Sequence, residues 1–213
     1  PGSDYYLDEA KRPGEYFKME EDEHGTYIMN SKDLCLIEYL KELRDAGVCS
    51  FKVEGRNKTI YYVATVAGAY KRAIDDMEAG RRFNRSHLVE LAKTSNRGFM
   101  PGFLTHTPRE SAQEYEKSLT YQTHEFIGVI RDCIEKSGRT LYDVEIKSKL
   151  EAHTRCEILT PDGSFEAEIT ELEQADGQTL TVINPGKNEH IFIELPRAVP
   201  IGSFLRKERA NHR

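Results

Sequence analysis

Lys52, Glu54, Arg56 and Lys58 stand close together in the chain, and this is where residue type and spacing could do chemistry. A guanidinium such as Arg56 can hold a carboxylate or phosphate through two parallel hydrogen bonds, which suits a nucleotide backbone or an acidic metabolite. Lys52, Glu54 and Arg56 are therefore the candidate catalytic residues. The plainer alternative is an ion pair between Glu54 and Arg56 that only braces the backbone.

The surrounding pattern predicts how these residues are positioned. A helix is expected to start at Asn30 or Ser31, carry Leu36, Ile37, Leu40 and Leu43 on one face, and stop at Gly47. Cys49, Phe51 and Val53 then alternate with Ser50, Lys52 and Glu54, the period of a strand packed on one side. Val63, Val66, Ala67, Tyr70, Ile74 and Met77 form a second helical stripe, closed by Gly80. Helix, strand and helix in such tight succession predict an α/β layer, with the charged residues at the carboxyl end of the strand, where barrel enzymes keep their chemistry.

Upstream, Tyr16–Met19 and Thr26–Met29 are expected to pair as a hairpin around Glu23-His24-Gly25, with the acidic run from Glu20 to Glu23 as a solvated loop. Downstream, 85–93 reads as a short helix and 94–108, rich in Gly, Pro and Phe, as an ordered crossing loop. From Tyr121 the texture changes. Short alternating runs at 126–130, 141–146, 155–159, 165–169, 179–183, 190–193 and 203–206 are separated by turn residues such as Pro161-Asp162-Gly163 and Asn184-Pro185-Gly186, which predicts a small closed antiparallel β-barrel. The expected organisation is an α/β domain over 1–107, a linker over 108–121 and the β-barrel over 122–213. A closed parallel barrel needs eight strand–helix units and about 250 residues. The first domain is therefore expected to be the tail of a larger one, consistent with a chain that opens on Pro1-Gly2-Ser3 and reads as a processed, cut or incomplete product.

Composition narrows the function classes. With 38% hydrophobic and 31% charged residues the chain has the make-up of a soluble protein, and the formal net charge of −6 gives nucleic acid no broad electrostatic attraction, so any RNA contact must be local. Cys35, Cys49, Cys133 and Cys156 form no CxxC pair, which argues against a zinc knuckle or a disulfide framework and for a reducing cytoplasm. There is no GxSxG elbow, no HExxH helix and no cysteine with a histidine placed by a motif. His24, His87, His106 and His124 read as surface or turn residues, Cys35 as a small hydrophobe in a first helical turn, and Cys49 as core. Tyr70 shares the core stripe and Tyr61 does not, so a base-stacking set of Tyr61, Tyr62 and Tyr70 is disfavoured. Arg206, Lys207, Arg209 and Arg213 read as a loose basic tail, although they are the best local candidate for a phosphate contact.

Three blocks in order, GTYIMNSKDLCLIEYL, AGVCSFKVEGRNKTIYYVATV with AYKRAID, and SNRGFMPGF followed by the predicted small barrel, resemble the carboxyl-terminal half of the U32 peptidase family, the collagenase-like proteins. The similarity runs from about Arg12 to Arg206 and points to the branch associated with 5-hydroxyuridine at the tRNA wobble position. It implies a partial TIM-like barrel followed by a β-barrel like the second domain of elongation factors. It also implies an iron–sulfur cluster on four cysteines, three of them upstream of this chain and Cys35 the fourth, as metal ligand and cofactor-binding residue. The family's KIEGR block is matched by Lys52, Val53, Glu54, Gly55 and Arg56, with Asn57 where methionine is common. The implied partners are tRNA and the upstream half of the same protein, with no membrane. Peptide hydrolysis is the alternative activity, and a non-catalytic binding fragment the third reading. A cubane needs four thiolate-type ligands, so the chain alone is expected to turn over neither substrate.

Overall fold

The computed structural model describes residues 5–8, 16–22, 25–28, 32–105, 121–186 and 190–209. At the amino end, β1 (Tyr5–Asp8), β2 (Tyr16–Asp22) and β3 (Gly25–Ile28) form an antiparallel sheet in that order, with Met19 opposite Ile28. The hairpin pairs as its alternation predicts, but Glu20, Glu21 and Asp22 belong to β2 and not to a loop. Glu23, His24, Asn30 and Ser31 lie outside the described residues.

The first helix is shorter than its apolar spacing predicts. Asp33–Leu34 (β4) runs parallel to Phe99–Met100 (β5), and backbone bonds from Asp33 N–H to the Gly98 carbonyl (2.9 Å) and from Cys35 N–H to that of Met100 (2.9 Å) hold it extended. Pairing with the distant Phe99–Met100 segment outcompetes the local cap, so only a 3₁₀ turn at Ile37–Tyr39 and α1 (Leu40–Asp45) are helical in this stretch. The expected strand over 49–54 does not form, because the segment has no ladder partner among the described residues. With no sheet layer to bury it, Cys49 is exposed and not core, whereas Phe51 packs on the helices. Parallel pairing among the described residues is limited to β4 and β5, which does not establish a TIM-like barrel.

Helix α2 (Ile60–Glu78) follows the predicted stripe. The Thr59 side chain accepts the Tyr62 N–H (3.2 Å) as its cap. At its far end Gly80, at φ +70°, lets Gly80 N–H reach the Met77 carbonyl and Arg81 N–H that of Asp76, the paired bonds of a Schellman stop. Val66, Ala69 and Ala73 of α2 pack with Ile37, Leu40 and with Leu91 of α3 (Ser86–Ala92). His87, expected at the surface, is buried there and bonds Asp76 at 2.8 Å.

The carboxyl-terminal part is a curved antiparallel sheet. Its strands are β6 (His124–Lys136), β7 (Arg139–Ile146), β8 (Leu150–Glu151), β9 (Thr154–Thr160), β10 (Gly163–Ile169), β11 (Leu172–Glu173), β12 (Thr179–Leu180), β13 (Val182–Ile183), β14 (His190–Glu194) and β15 (Phe204–Glu208). Eight of them pair in the order β10-β9-β15-β6-β7-β14-β11-β12, while β8 pairs β13. The two ends of that ladder do not pair with each other among the described residues, so the sheet curls without the backbone closure of a complete barrel. It still wraps one core, in which Ile127, Val144, Ile158, Ile169 and Ile191 from five strands are all fully buried. Gly128 allows the central strands to approach, since a Cβ there would sit 2.6 Å from the Glu145 carbonyl oxygen.

Helices and sheet meet at a joint that the composition does not announce. Tyr61 stacks on Phe126 (centroids 5.1 Å apart) and packs with Val129, Leu159 and Phe204. Beside it Arg206, with no solvent exposure, forks onto Glu157 through Nε (2.9 Å) and Nη2 (3.0 Å) and also reaches Glu90 Oε2 (2.9 Å). Arg206 is thus no part of a loose tail: the β15 register turns it inward. Arg213 lies outside the described residues. His124, also read as a surface residue, is largely covered and lies 3.4 Å from Glu157. Burial alone would raise the Glu157 carboxyl pKa, but hydrogen bonds from His124, Arg206, Lys93 and Ser164 outweigh it and hold the group far below the usual glutamate range.

A depressed carboxylate stabilises fully above its unfolded pKa of about 4.3 and loses that contribution as pH falls toward the folded value. Urea unfolding followed from about pH 6 to about pH 3 is expected to show stability falling below about pH 4.5, with a shallower fall for Glu157→Gln. Equal slopes in the two proteins would place the acid sensitivity elsewhere.

Candidate functional site

A cleft of about 600 Å³ opens between the segment 48–54, the start of α2 and the β4–β5 pair. Its walls are largely apolar, with Leu36, Leu43, Phe51, Val66 and Phe99 among them. Asp33 and Arg97 close one side: Arg97 Nη2 lies 2.8 Å from Asp33 Oδ1, and its backbone N–H donates to Oδ2 at 3.2 Å. The expectation of a strand-end rim changes form here, since loop residues and a helix start line the opening.

Cys35, Lys52, Glu54, Lys58, Tyr62 and Tyr70 all line this cleft. Arg56 is exposed and not among the lining residues. Glu54 and Arg56 do not form the side-chain ion pair considered above. Instead Glu54 Oε1 accepts the Arg56 backbone N–H at 2.8 Å, tightening the turn at Gly55. Among the described residues the side chains of Lys52, Arg56 and Lys58 form no ion pair, while the other carboxylate on the cleft besides Glu54, Asp33, is held by Arg97. Lys58 Nζ sits 5.0 Å from the Tyr62 ring centroid. These residues lie at the amino end of α2, where the helix macrodipole adds positive potential.

Cys35 is half-buried beneath them, its Sγ 3.8 Å from the Tyr70 hydroxyl. The Leu36 N–H donates to that hydroxyl at 3.3 Å, which leaves the phenol proton free to point at sulfur. Burial pushes the Cys35 thiol up, only partly offset by hydrogen bonds from Ile37 and Tyr70, so the thiol form is favoured here. Burial also raises Tyr70 and Tyr62, with the charge of Cys35 as a smaller contribution to each. Sequence periodicity assigns Tyr70 to the core and misses its contact with Cys35, because nothing local links positions 35 residues apart.

No group of three His, Cys, Asp or Glu side chains that could hold a metal occurs among the described residues. Cys35 is the one thiol on the cleft among the described residues. Cys49 and Cys133 are exposed, and Cys156 is buried in the sheet core with its thiol pushed up to about 12 by desolvation.

Residues 3–114 match the model of peptidase family U32, and residues 122–206 match the model of the peptidase family U32 C-terminal domain. The chain belongs to the U32 family. This U32 chain is 37% identical over 202 residues to tRNA hydroxylation protein P of Escherichia coli (strain K12), a match covering 94% of the chain and 44% of that protein. It is 30% identical over 189 residues to a protein named collagenase from Porphyromonas gingivalis (strain ATCC BAA-308 / W83), covering 85% and 44% respectively. The crystallised C-terminal domain of a Geobacillus thermoleovorans protein assigned to the U32 peptidases aligns with 40% of the chain and 93% of its own length, at 19% identity and a TM-score of 0.35. The U32 chain thus spans less than half the length of these curated relatives. No helix among its described residues is long and apolar enough to cross a membrane.

Proposed function

We propose that this chain acts in tRNA hydroxylation as the carboxyl-terminal part of a longer U32 protein, with wobble uridine converted to 5-hydroxyuridine. The observation that carries this reading is the match along 94% of the chain to tRNA hydroxylation protein P. The cleft supports it, because a half-buried thiol and unpaired cations share one opening. In this reading Cys35 contributes one ligand to an iron–sulfur cluster whose other thiolates come from the remainder of the longer protein, and such a cluster supplies one-electron chemistry when bound. Tyr70 orients the sulfur, the apolar walls exclude water, and Lys52, Glu54 and Arg56 form the polar rim that receives the substrate. A domain boundary between about 107 and 122, and a TIM-like arrangement completed by residues outside this chain, belong to the same proposal.

The test is genetic and chemical. Deleting the gene is expected to remove 5-hydroxyuridine from tRNA hydrolysates analysed by mass spectrometry. Restoring it with Cys35→Ser is expected to leave the nucleoside at the deletion level, while the wild-type gene returns it. Unchanged 5-hydroxyuridine in the deletion strain would sink the proposal.

A second reading, peptide hydrolysis, is favoured only by the collagenase-named relative. Against it, the polar atom beside the Cys35 sulfur is a tyrosine hydroxyl, and no histidine lines the cleft among the described residues to serve as base.

A further inference from the structure

We propose that the cleft receives one unstacked nucleotide of a single-stranded RNA segment, with the Tyr62 ring as the platform for the base and Lys52 and Lys58 on the flanking phosphates. This rests on the tRNA reading above and adds to it the residues that would hold the nucleotide. A volume of about 600 Å³ falls in the range of small-ligand sites, roughly 300–1,000 Å³. The apolar walls suit the flat face of a base, while the unpaired lysines at the opening suit its phosphates. With a net charge of −6 the chain has no general attraction for a polyanion, so contact with RNA depends on local cations such as these.

Tyr62 is pre-set for this role. Its backbone N–H is held by the Thr59 cap, the adjacent Tyr61 is locked in the helix–sheet joint, and Lys58 rides over its ring. A stacking residue fixed before binding loses little entropy on engaging a base. An extended peptide is the poorer occupant. Such ligands extend a strand ladder, and the strands at the cleft among the described residues, β4 and β5, pair over only two residues each, too short a template for one. Asn96 does not read the base edge, since its Nδ2 is bonded to the Thr94 carbonyl and its Oδ1 to the Gly98 N–H.

Fluorescence anisotropy of labelled hexauridylate with the purified protein tests this. Tyr62→Ala is expected to weaken binding by about tenfold or more, and Tyr62→Phe by less than about twofold, because the ring is what stacks. The Lys52→Ala/Lys58→Ala double variant is expected to lower the slope of log K against log salt by about 1.4, or roughly 0.7 for each single-strand phosphate that the protein no longer neutralises. Circular dichroism verifies that each variant is folded. Absence of salt-dependent binding by the wild type, equal binding by all variants, or displacement of hexauridylate by a gelatin-derived peptide would each overturn the inference. The two proposals fail separately. Nucleotide binding that tracks Tyr62 in a protein whose deletion leaves tRNA unchanged would sink only the hydroxylation reading. Lost 5-hydroxyuridine in the deletion with indifferent Tyr62 and lysine variants would sink only the nucleotide platform.

Discussion

Arg206→Ala is expected to cost about 3–5 kcal/mol of folding stability, a large share of what a domain of this size possesses. The guanidinium has no solvent exposure and satisfies two largely buried carboxylates at once, Glu157 through two hydrogen bonds and Glu90 through a third. Glu90 Oε1 also lies 2.8 Å from Nη2, but without an aligned N–H, so its contact is one of charge alone. Removing the arginine leaves the two carboxylates in the joint to Lys93, 2.8 Å from Glu157 and 3.0 Å from Glu90, with His124 and the Ser164 hydroxyl as further partners of Glu157 alone. Arg206→Lys keeps the charge but loses the fork, and is expected to fall between the two. The control is Arg206→Met with Glu90→Leu, Glu157→Leu and Lys93→Met, which removes the arginine, both carboxylates and the lysine that answers them together and is expected to recover much of the loss. Urea unfolding of the four proteins at neutral pH measures this. An alanine variant within about 1 kcal/mol of wild type would show that the buried ions contribute little.

Tyr61→Ala is the second large effect, at about 3–5 kcal/mol, the usual cost of deleting a buried aromatic ring. Tyr61 is 2% exposed, stacks on Phe126, meets Phe204 at a centroid distance of 6.4 Å, and donates its hydroxyl to the Lys93 carbonyl at 3.1 Å. Tyr61→Phe keeps the ring and drops that bond together with the longer one its hydroxyl accepts from Arg206 Nη1 (3.5 Å), so its expected cost is about 1–2 kcal/mol. Because Tyr61 joins α2 to β6 and β15, the alanine variant is also expected to separate unfolding of the helices from that of the sheet. Two probes, one reporting helix and one an aromatic of the sheet, would then give transitions that no longer coincide. Coincident transitions with a small loss would mean that Val129, Leu159 and Phe204 hold the joint without the ring.

The tyrosine and the arginine show what a sequence reading can and cannot reach. Seen along the helix, Tyr61 falls off the stripe that packs on Leu40 and Leu91, so periodicity leaves it unassigned. It fills a second face only because the sheet covers α2 from the other side. Arg206 looks like one cation among four near the chain's end. Only the β15 register, which sets it opposite Glu157, turns it inward. Strand expectation over 49–54 failed for a related reason: alternation is necessary for a half-buried strand, but a ladder needs a neighbour, and the neighbour is not local.

By itself the sequence determined the helix stops at Gly47 and Gly80, the pairing of β2 with β3, most strands of the carboxyl-terminal sheet, and the family, because these depend on short-range geometry and on motifs read in order. Tertiary structure alone decided that Asp33–Leu34 is a strand, that Tyr70 meets Cys35, that Arg56 stays outside the cleft while Lys58 and Tyr62 enter it, and that Arg206 is buried. Each of these depends on contacts between residues distant in the chain, where the free energy of packing and pairing outweighs the weak local preference that a sequence pattern records.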